Sequence, residues 1–259
     1  MFCKKISISF FLLIFASVIS AQNKVSISSP NGQLVFSFAL DQGHPEYSVK
    51  YKKKTLIEHS RLGLAFINND AFGDDIEVKH ISVSSGTDDY NLPEGKTSKV
   101  HDTYQEASIP LQAIKGDERL VFLRIRAFND GIAFRYEFPL QNGWANYILT
   151  DENTEFNLVN NPTARVAFLE DFFTSHEHRY NKLPLHDIKN DTLMDMPALF
   201  EFPGKTYMAI TEADLVDYAG MSLIKKNGML MSQLTPLPGQ SSIKVKATLP
   251  HHSPWRVMM

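Results

Sequence analysis

His176-Glu177-His178 follows closely on the acidic pair Glu170-Asp171. If the run is a strand, His176 and His178 share one face and Glu177 points from the other. Two histidines at i, i+2 can bind a metal, but a zinc site needs a third or fourth ligand that the spacing does not supply. A polar strand end without any ligand is the plainer reading. Thr211-Glu212-Ala213-Asp214-Leu215 sets two carboxylates at i, i+2. Paired carboxylates can do acid–base work, at a separation only the fold can set; the competing reading is a solvated loop. Arg126, with Arg135 and Tyr136, flanks Asn129-Asp130-Gly131, and arginines on a hairpin ordinarily serve in ion pairs. Last comes His251-His252-Ser253-Pro254-Trp255-Arg256. Tryptophan beside arginine can make a sugar-stacking platform, since ring faces suit sugar C–H surfaces and guanidinium forks suit hydroxyls. A core tryptophan is the commoner use. No glycine-rich phosphate loop, GxSxG, HExxH or CxxC motif is present.

The elements that must position these groups read as strands. From Lys24 onward, short alternating segments are cut by turn residues. Leu34, Phe36, Phe38 and Leu40 fall on one face of a run bounded by Ser29-Pro30-Asn31-Gly32 and Asp41-Gln42-Gly43. Tyr47 to Tyr51 alternates again, and Lys52 to Lys54 reads as a hairpin tip. The clearest hairpin runs from Leu120 to Phe128 and from Ile132 to Phe138. Its Asp130-Gly131 step predicts a turn in which glycine takes a positive φ. Residues 69–90 read as solvated loops and an edge strand. No window sustains a helical stripe, so the chain is predicted to be an all-β, mainly antiparallel sandwich.

Composition bounds the function. Of 259 residues, 43% are hydrophobic and 21% charged, with 26 Lys+Arg against 29 Asp+Glu and a net charge of −3. That balance excludes a nucleic-acid binder held by a basic field. Lys4 and Lys5, the apolar run Ile6 to Ile19 and the small pair Ser20-Ala21 read as a secretory signal peptide over residues 1–21, cleaved after Ala21. The run is shorter than the ~20 apolar residues of a membrane span. Its Cys3 is the chain's single cysteine, so the mature chain, from Gln22 to Met259, is expected to be cysteine-free, without a membrane span, and periplasmic or secreted.

In order along the chain, Ser29-Pro30-Asn31-Gly32, Arg61-Leu62-Gly63-Leu64, Asp102-Thr103-Tyr104-Gln105-Glu106, Arg126 through Tyr136, Ala209 through Leu215, Asp217-Tyr218 and Ser253-Pro254-Trp255-Arg256 resemble the N-terminal domain of glycoside hydrolase family 97. These are exported α-glucosidases and α-galactosidases typical of Bacteroidetes. Tyr90 departs from the pattern, which has tryptophan there. The resemblance implies a β-supersandwich of the galactose-mutarotase type that packs on a catalytic (β/α)₈ barrel. A barrel takes ~250 residues, more than follow Arg256, so the family's catalytic carboxylates fall on no residue here. The expectation is a truncated, non-catalytic, carbohydrate-binding or accessory domain. Across Asp171 to Tyr180 the resemblance makes Glu177 a ligand to calcium. Calcium takes 6–8 oxygens, so the barrel would have to complete that site. Two other functions compete: a free-standing mutarotase-like enzyme using His176, His178 and Glu212, and a structural domain docking to a separately encoded barrel.

Overall fold

The computed structural model describes residues 23–67, 70–116 and 118–259; the segment read as a signal peptide lies outside them. In chain order the strands are β1 (Lys24–Ser28), β2 (Leu34–Asp41), β3 (His44–Tyr51), β4 (Lys54–Arg61), β5 (Leu64–Phe66), β6 (Asp70–Phe72), β7 (Ile76–Val78) and β8 (Ser82–Asn91). Next come β9 (Lys99–Ala113), β10 (Leu120–Ala127), β11 (Ile132–Phe138), β12 (Asn146–Glu152), β13 (Thr163–Leu169), β14 (Tyr180–Pro184) and β15 (Leu193–Met194). The last are β16 (Ala198–Phe202), β17 (Thr206–Ala213), β18 (Met221–Lys226), β19 (Met229–Leu234), β20 (Val245–Thr248), β21 (His251–His252) and β22 (Trp255–Met258). The described residues hold no α-helix, and no helix among them is long and apolar enough to cross a membrane.

One large antiparallel sheet runs β19-β18-β15-β13-β16-β17-β22-β11-β10-β9-β7, with β8, β14 and β21 paired along its length. Two four-stranded sheets, β1-β2-β3-β4 and β20-β12-β5-β6, complete the sandwich. Aromatic side chains join the layers. Phe36 and Tyr47 pack on Phe134 of β11 at ring distances of 6.0 and 5.2 Å, and Tyr147 of β12 meets Phe138 of the same strand at 4.7 Å. Strand β11 is therefore covered by both small sheets, which explains why Ile132, Phe134, Tyr136 and Phe138 are all buried.

The period-2 patterns form as expected. Leu34, Phe36 and Phe38 point into the core, with Leu40 packed at its rim. Val121, Leu123, Ile125 and Ala127 do the same on β10, turning Arg124 and Arg126 outward. Lys52 and Lys53 form the tip between β3 and β4.

One local expectation changes. Gly131 has no positive φ; the Phe128–Gly131 connection closes instead by a Phe128 N–H bond to the Gly131 carbonyl. Glycine instead relieves crowding, because a Cβ would lie 3.2 Å from the Met258 carbonyl oxygen. The edge strand read within residues 69–90 forms as β8 on β9. Strand β22 is central, paired with β11 on one side and β17 on the other.

Candidate functional site

Glu170 to Arg179 is not a strand but the connection from β13 to β14, so His176 and His178 do not share a pleated face. Asx and Ser turns shape it: Asp171 accepts the Phe173 N–H at 2.7 Å and Ser175 Oγ the Glu177 N–H at 3.2 Å. His176 Nδ1 sits 3.0 Å from Asp195 Oδ2, and His178 Nε2 3.4 Å from Thr174 Oγ1. Phe172 anchors the loop on a small cluster of Leu169, Leu193 and Ile224. Glu177 is exposed, and its carboxylate has no partner among the described residues. Phe173 (71%) and Tyr180 (61%) beside it are as open. Among the described residues no group of three or more His, Cys, Asp or Glu side chains could hold a metal ion. A calcium site therefore does not fit this chain's residues alone; Glu177 could supply one oxygen ligand group and no more.

Glu212 is not solvated, whereas Asp214 lies exposed just past the end of β17. Glu212 lies on β17 directly opposite Arg256 of β22, and the two form an ion pair at 2.7 Å. The same guanidinium donates through Nε and Nη2 to both oxygens of Glu152, at 2.8 and 2.7 Å. Arg256 and Glu152 side chains are wholly buried. Thr154 and Tyr218 hydroxyls also donate to Glu152, at 3.0 and 3.4 Å. Burial alone would lower the Arg256 pKa, but the Glu152 carboxylate beside it holds it above the ordinary guanidinium value. Burial pushes the Glu212 carboxyl up, against the opposing pull of Arg256. This bidentate cluster is built to neutralise a buried charge. Its carboxylates are committed to Arg256, and no hydrogen bond or ion pair joins Glu212 to His176 or His178 among the described residues.

On the outer face of the large sheet the hairpin arginines form an alternating chain of charge. It runs Asp88–Arg126 (3.2 Å), Arg126–Glu106 (2.8 Å), Glu106–Arg124 (2.6 Å), Arg124–Glu137 (2.8 Å), Glu137–Arg135 (2.8 Å) and Arg135–Asp214 (3.4 Å). Burial would raise the Glu137 pKa, but the two guanidiniums donating to it bring it below the usual carboxylate range. Trp255 lies on this face, half-buried, with the Arg135 and Arg126 guanidinium carbons 4.4 and 5.1 Å from its ring centroid. The arginines against Trp255 thus come from β10 and β11, not from its neighbour Arg256, which points the other way into the core. Tyr136 also points inward, its hydroxyl 3.1 Å from Thr154 Oγ1.

Sequence reasoning missed Glu152 and a cavity lined by its hydrogen-bond partner Tyr218. That cavity, about 960 Å³, is lined by Tyr147, Tyr218, His251, Asp217 and Lys244 among others. Tyr147 hydroxyl and His251 Nδ1 are 2.7 Å apart. Burial, then the adjacent His252, lowers the His251 pKa. Pro254 and Ser253 separate these histidines from Trp255; β21 and β22 run in the same direction along β11, with one extra residue between them.

Residues 27–259 match the family model described as "Glycosyl-hydrolase 97 N-terminal". A retaining alpha-galactosidase of Bacteroides thetaiotaomicron is 22% identical over 281 aligned positions, which cover 98% of this chain and 41% of that protein. A glycoside hydrolase family 97 enzyme of Pseudoalteromonas sp. strain K8, solved in complex with acarbose, superposes with a TM-score of 0.82 at 30% identity, over 90% of this chain and 35% of the enzyme. Its complex with panose gives 0.81. A beta-arabinopyranosidase shares the fold at a TM-score of 0.80 and 23% identity, over 91% of this chain and 40% of that one. The chain therefore spans about two-fifths or less of the length of these relatives.

Proposed function

Because the chain belongs to glycoside hydrolase family 97, as that family's N-terminal domain over residues 27–259, we propose that it is the non-catalytic sandwich partner of a catalytic barrel in an exported α-glycosidase. One observation carries this reading: almost the whole chain aligns to relatives more than twice its length. The carboxylates favour it as well. Glycoside hydrolysis needs two of them facing a shared cleft, and the pair gathered here, Glu152 and Glu212, is bound to one buried arginine. An α-galactoside or α-glucoside is the substrate class of the assembly, by analogy with an α-galactosidase and with an enzyme that holds acarbose and panose. The Lys4-Lys5 and Ile6–Ile19 leader supports a periplasmic or secreted location.

The Glu170–Arg179 loop is the surface that meets the barrel. Its open Phe173, and Tyr180 just beyond it, would be covered there, and Glu177 would lend one carboxylate to a calcium ion completed by barrel oxygens. Two assays test this. Purified chain alone should not turn over p-nitrophenyl α-glucoside or α-galactoside, with or without calcium. Joined to a family 97 barrel, Glu177→Gln should lower activity, and added calcium should partly restore it, since the variant removes one anionic ligand and keeps the shape. Turnover by the isolated chain that Glu212→Gln or His178→Ala abolishes would replace this reading with a free-standing sugar enzyme.

A further inference from the structure

The outer face of the large sheet holds a second cavity, about 420 Å³, which the Glu170–Arg179 loop does not line. Tyr90, Asp102, Arg126, Phe128, Asp130 and Trp255 line it. Its volume lies within the ~300–1,000 Å³ of small-molecule sites. The chain has two tryptophans, and they are used differently. Trp144 is buried in the core at 9% exposure, whereas Trp255 opens onto this cavity, its ring held by Arg126 and Arg135. Arg126 is itself clamped between Glu106 and Asp88 and lies 4.3 Å from the Tyr104 ring centroid. The aromatic wall is thus rigid before any ligand arrives.

Charge then selects the ligand. Arg126 is already neutralised by two carboxylates, so it offers no free cation to an anion. Asp130 has no partner among the described residues, and Asp102 meets only the Tyr90 hydroxyl, at 3.4 Å. The cavity therefore presents ring faces beside unfilled carboxylate acceptors. That pairing suits a neutral molecule with apolar C–H faces and many hydroxyl donors, and it repels phosphates. We propose that this cavity is a carbohydrate-binding site, with Trp255 and Tyr90 as stacking rings and Asp102 and Asp130 as hydroxyl acceptors. The proposal does not depend on the loop meeting a barrel: sugar binding by this chain and activation of a barrel by Glu177 can fail separately.

The test is titration of the full chain with maltose and with melibiose, and with glucose 6-phosphate as an anionic probe. Binding is read by calorimetry and by intrinsic tryptophan fluorescence. A neutral disaccharide should bind saturably in the millimolar range and the phosphate should not. Tyr90→Ala and Asp130→Ala, at exposed positions and therefore compatible with folding, should each weaken it about tenfold. Absence of saturable binding by both disaccharides up to ~50 mM would overturn the proposal. So would affinity unchanged in both variants, which would place the sugar elsewhere, or equal binding of the phosphate, which would make the cavity an anion site.

Discussion

At Arg256 a full positive charge lies out of water, held by Glu152 and Glu212. Removing one partner of such a pair strands the other, at a cost of about 3–5 kcal/mol, whereas replacing the pair by apolar groups of similar size is often nearly neutral. Glu152→Ala should therefore lower the urea midpoint sharply. Glu152→Leu combined with Arg256→Met and Glu212→Gln, which leaves no stranded carboxylate, should recover much of the loss; equal destabilisation by both would show that packing, not charge, dominates there. His251 makes a separate prediction. Its folded pKa is depressed, so the fold favours the neutral ring packed among Tyr147, Tyr218, His252 and Asp217. The unfolded chain takes up that proton near pH ~6.5. Stability is then fully present above that value and declines as pH falls through the folded pKa. The depressed Glu137 adds a further loss only in the carboxylate range, below pH ~4.3. Denaturant midpoints on either side of pH ~6.5 should differ in the parent chain and much less in His251→Gln.

Strand pairing explains both what was legible in the sequence and what was not. Gly86 of β8 sits opposite Tyr104 of β9, and the phenol ring covers it so closely that a Cβ would lie 2.4 Å from the ring. Tyr104 in turn packs against Phe128, at 5.1 Å, and beneath Arg126. Gly86→Ala should push that ring away and cost about 1–3 kcal/mol, read as a drop in thermal midpoint. An unchanged midpoint would mean that the ring has room to move. The β10–β11 hairpin and the Leu34–Phe36–Phe38 face were readable because burial at period 2 needs only neighbours in sequence. Glu152 was not. Strand β12 carries a bulge between Leu149 and Asp151, and one extra residue reverses which side chain faces inward. Tyr147 and Leu149 predict an inward Asp151; Glu152 is buried instead. The Glu212–Arg256 pair depends on the register of two strands 44 residues apart, which no local pattern records. The polar alternation of His176 and His178 resembled a strand because hydrogen bonds within a loop, such as those of Asp171 and Ser175, leave no periodic trace.

For the molecule as a whole, the position of β22 changes how isolated chains should behave. A last strand paired on one side only would leave bare backbone donors and acceptors, a common route to association. Here β22 is hydrogen-bonded on both sides through Met258, so it offers no edge of its own; the sheet edges include β8, β19 and the outer strands of the small sheets. Apolar side-chain surface adds to those edges. Phe173 and Tyr180 are 71% and 61% exposed at one loop, and Leu215 and Val216 are 48% and 57% exposed after β17. Contiguous exposed apolar area drives association in proportion to its size. The chain on its own should self-associate, and sedimentation velocity should show the monomer fraction falling as concentration rises. Phe173→Ser with Tyr180→Ser removes ring area without touching the core cluster beneath Phe172, and should shift the distribution toward monomer. If the same pair also weakens binding to a family 97 barrel, the surface that self-associates is the one the barrel covers. A parent chain that stays monomeric at every concentration would reject the prediction and show that these rings are tolerated in water.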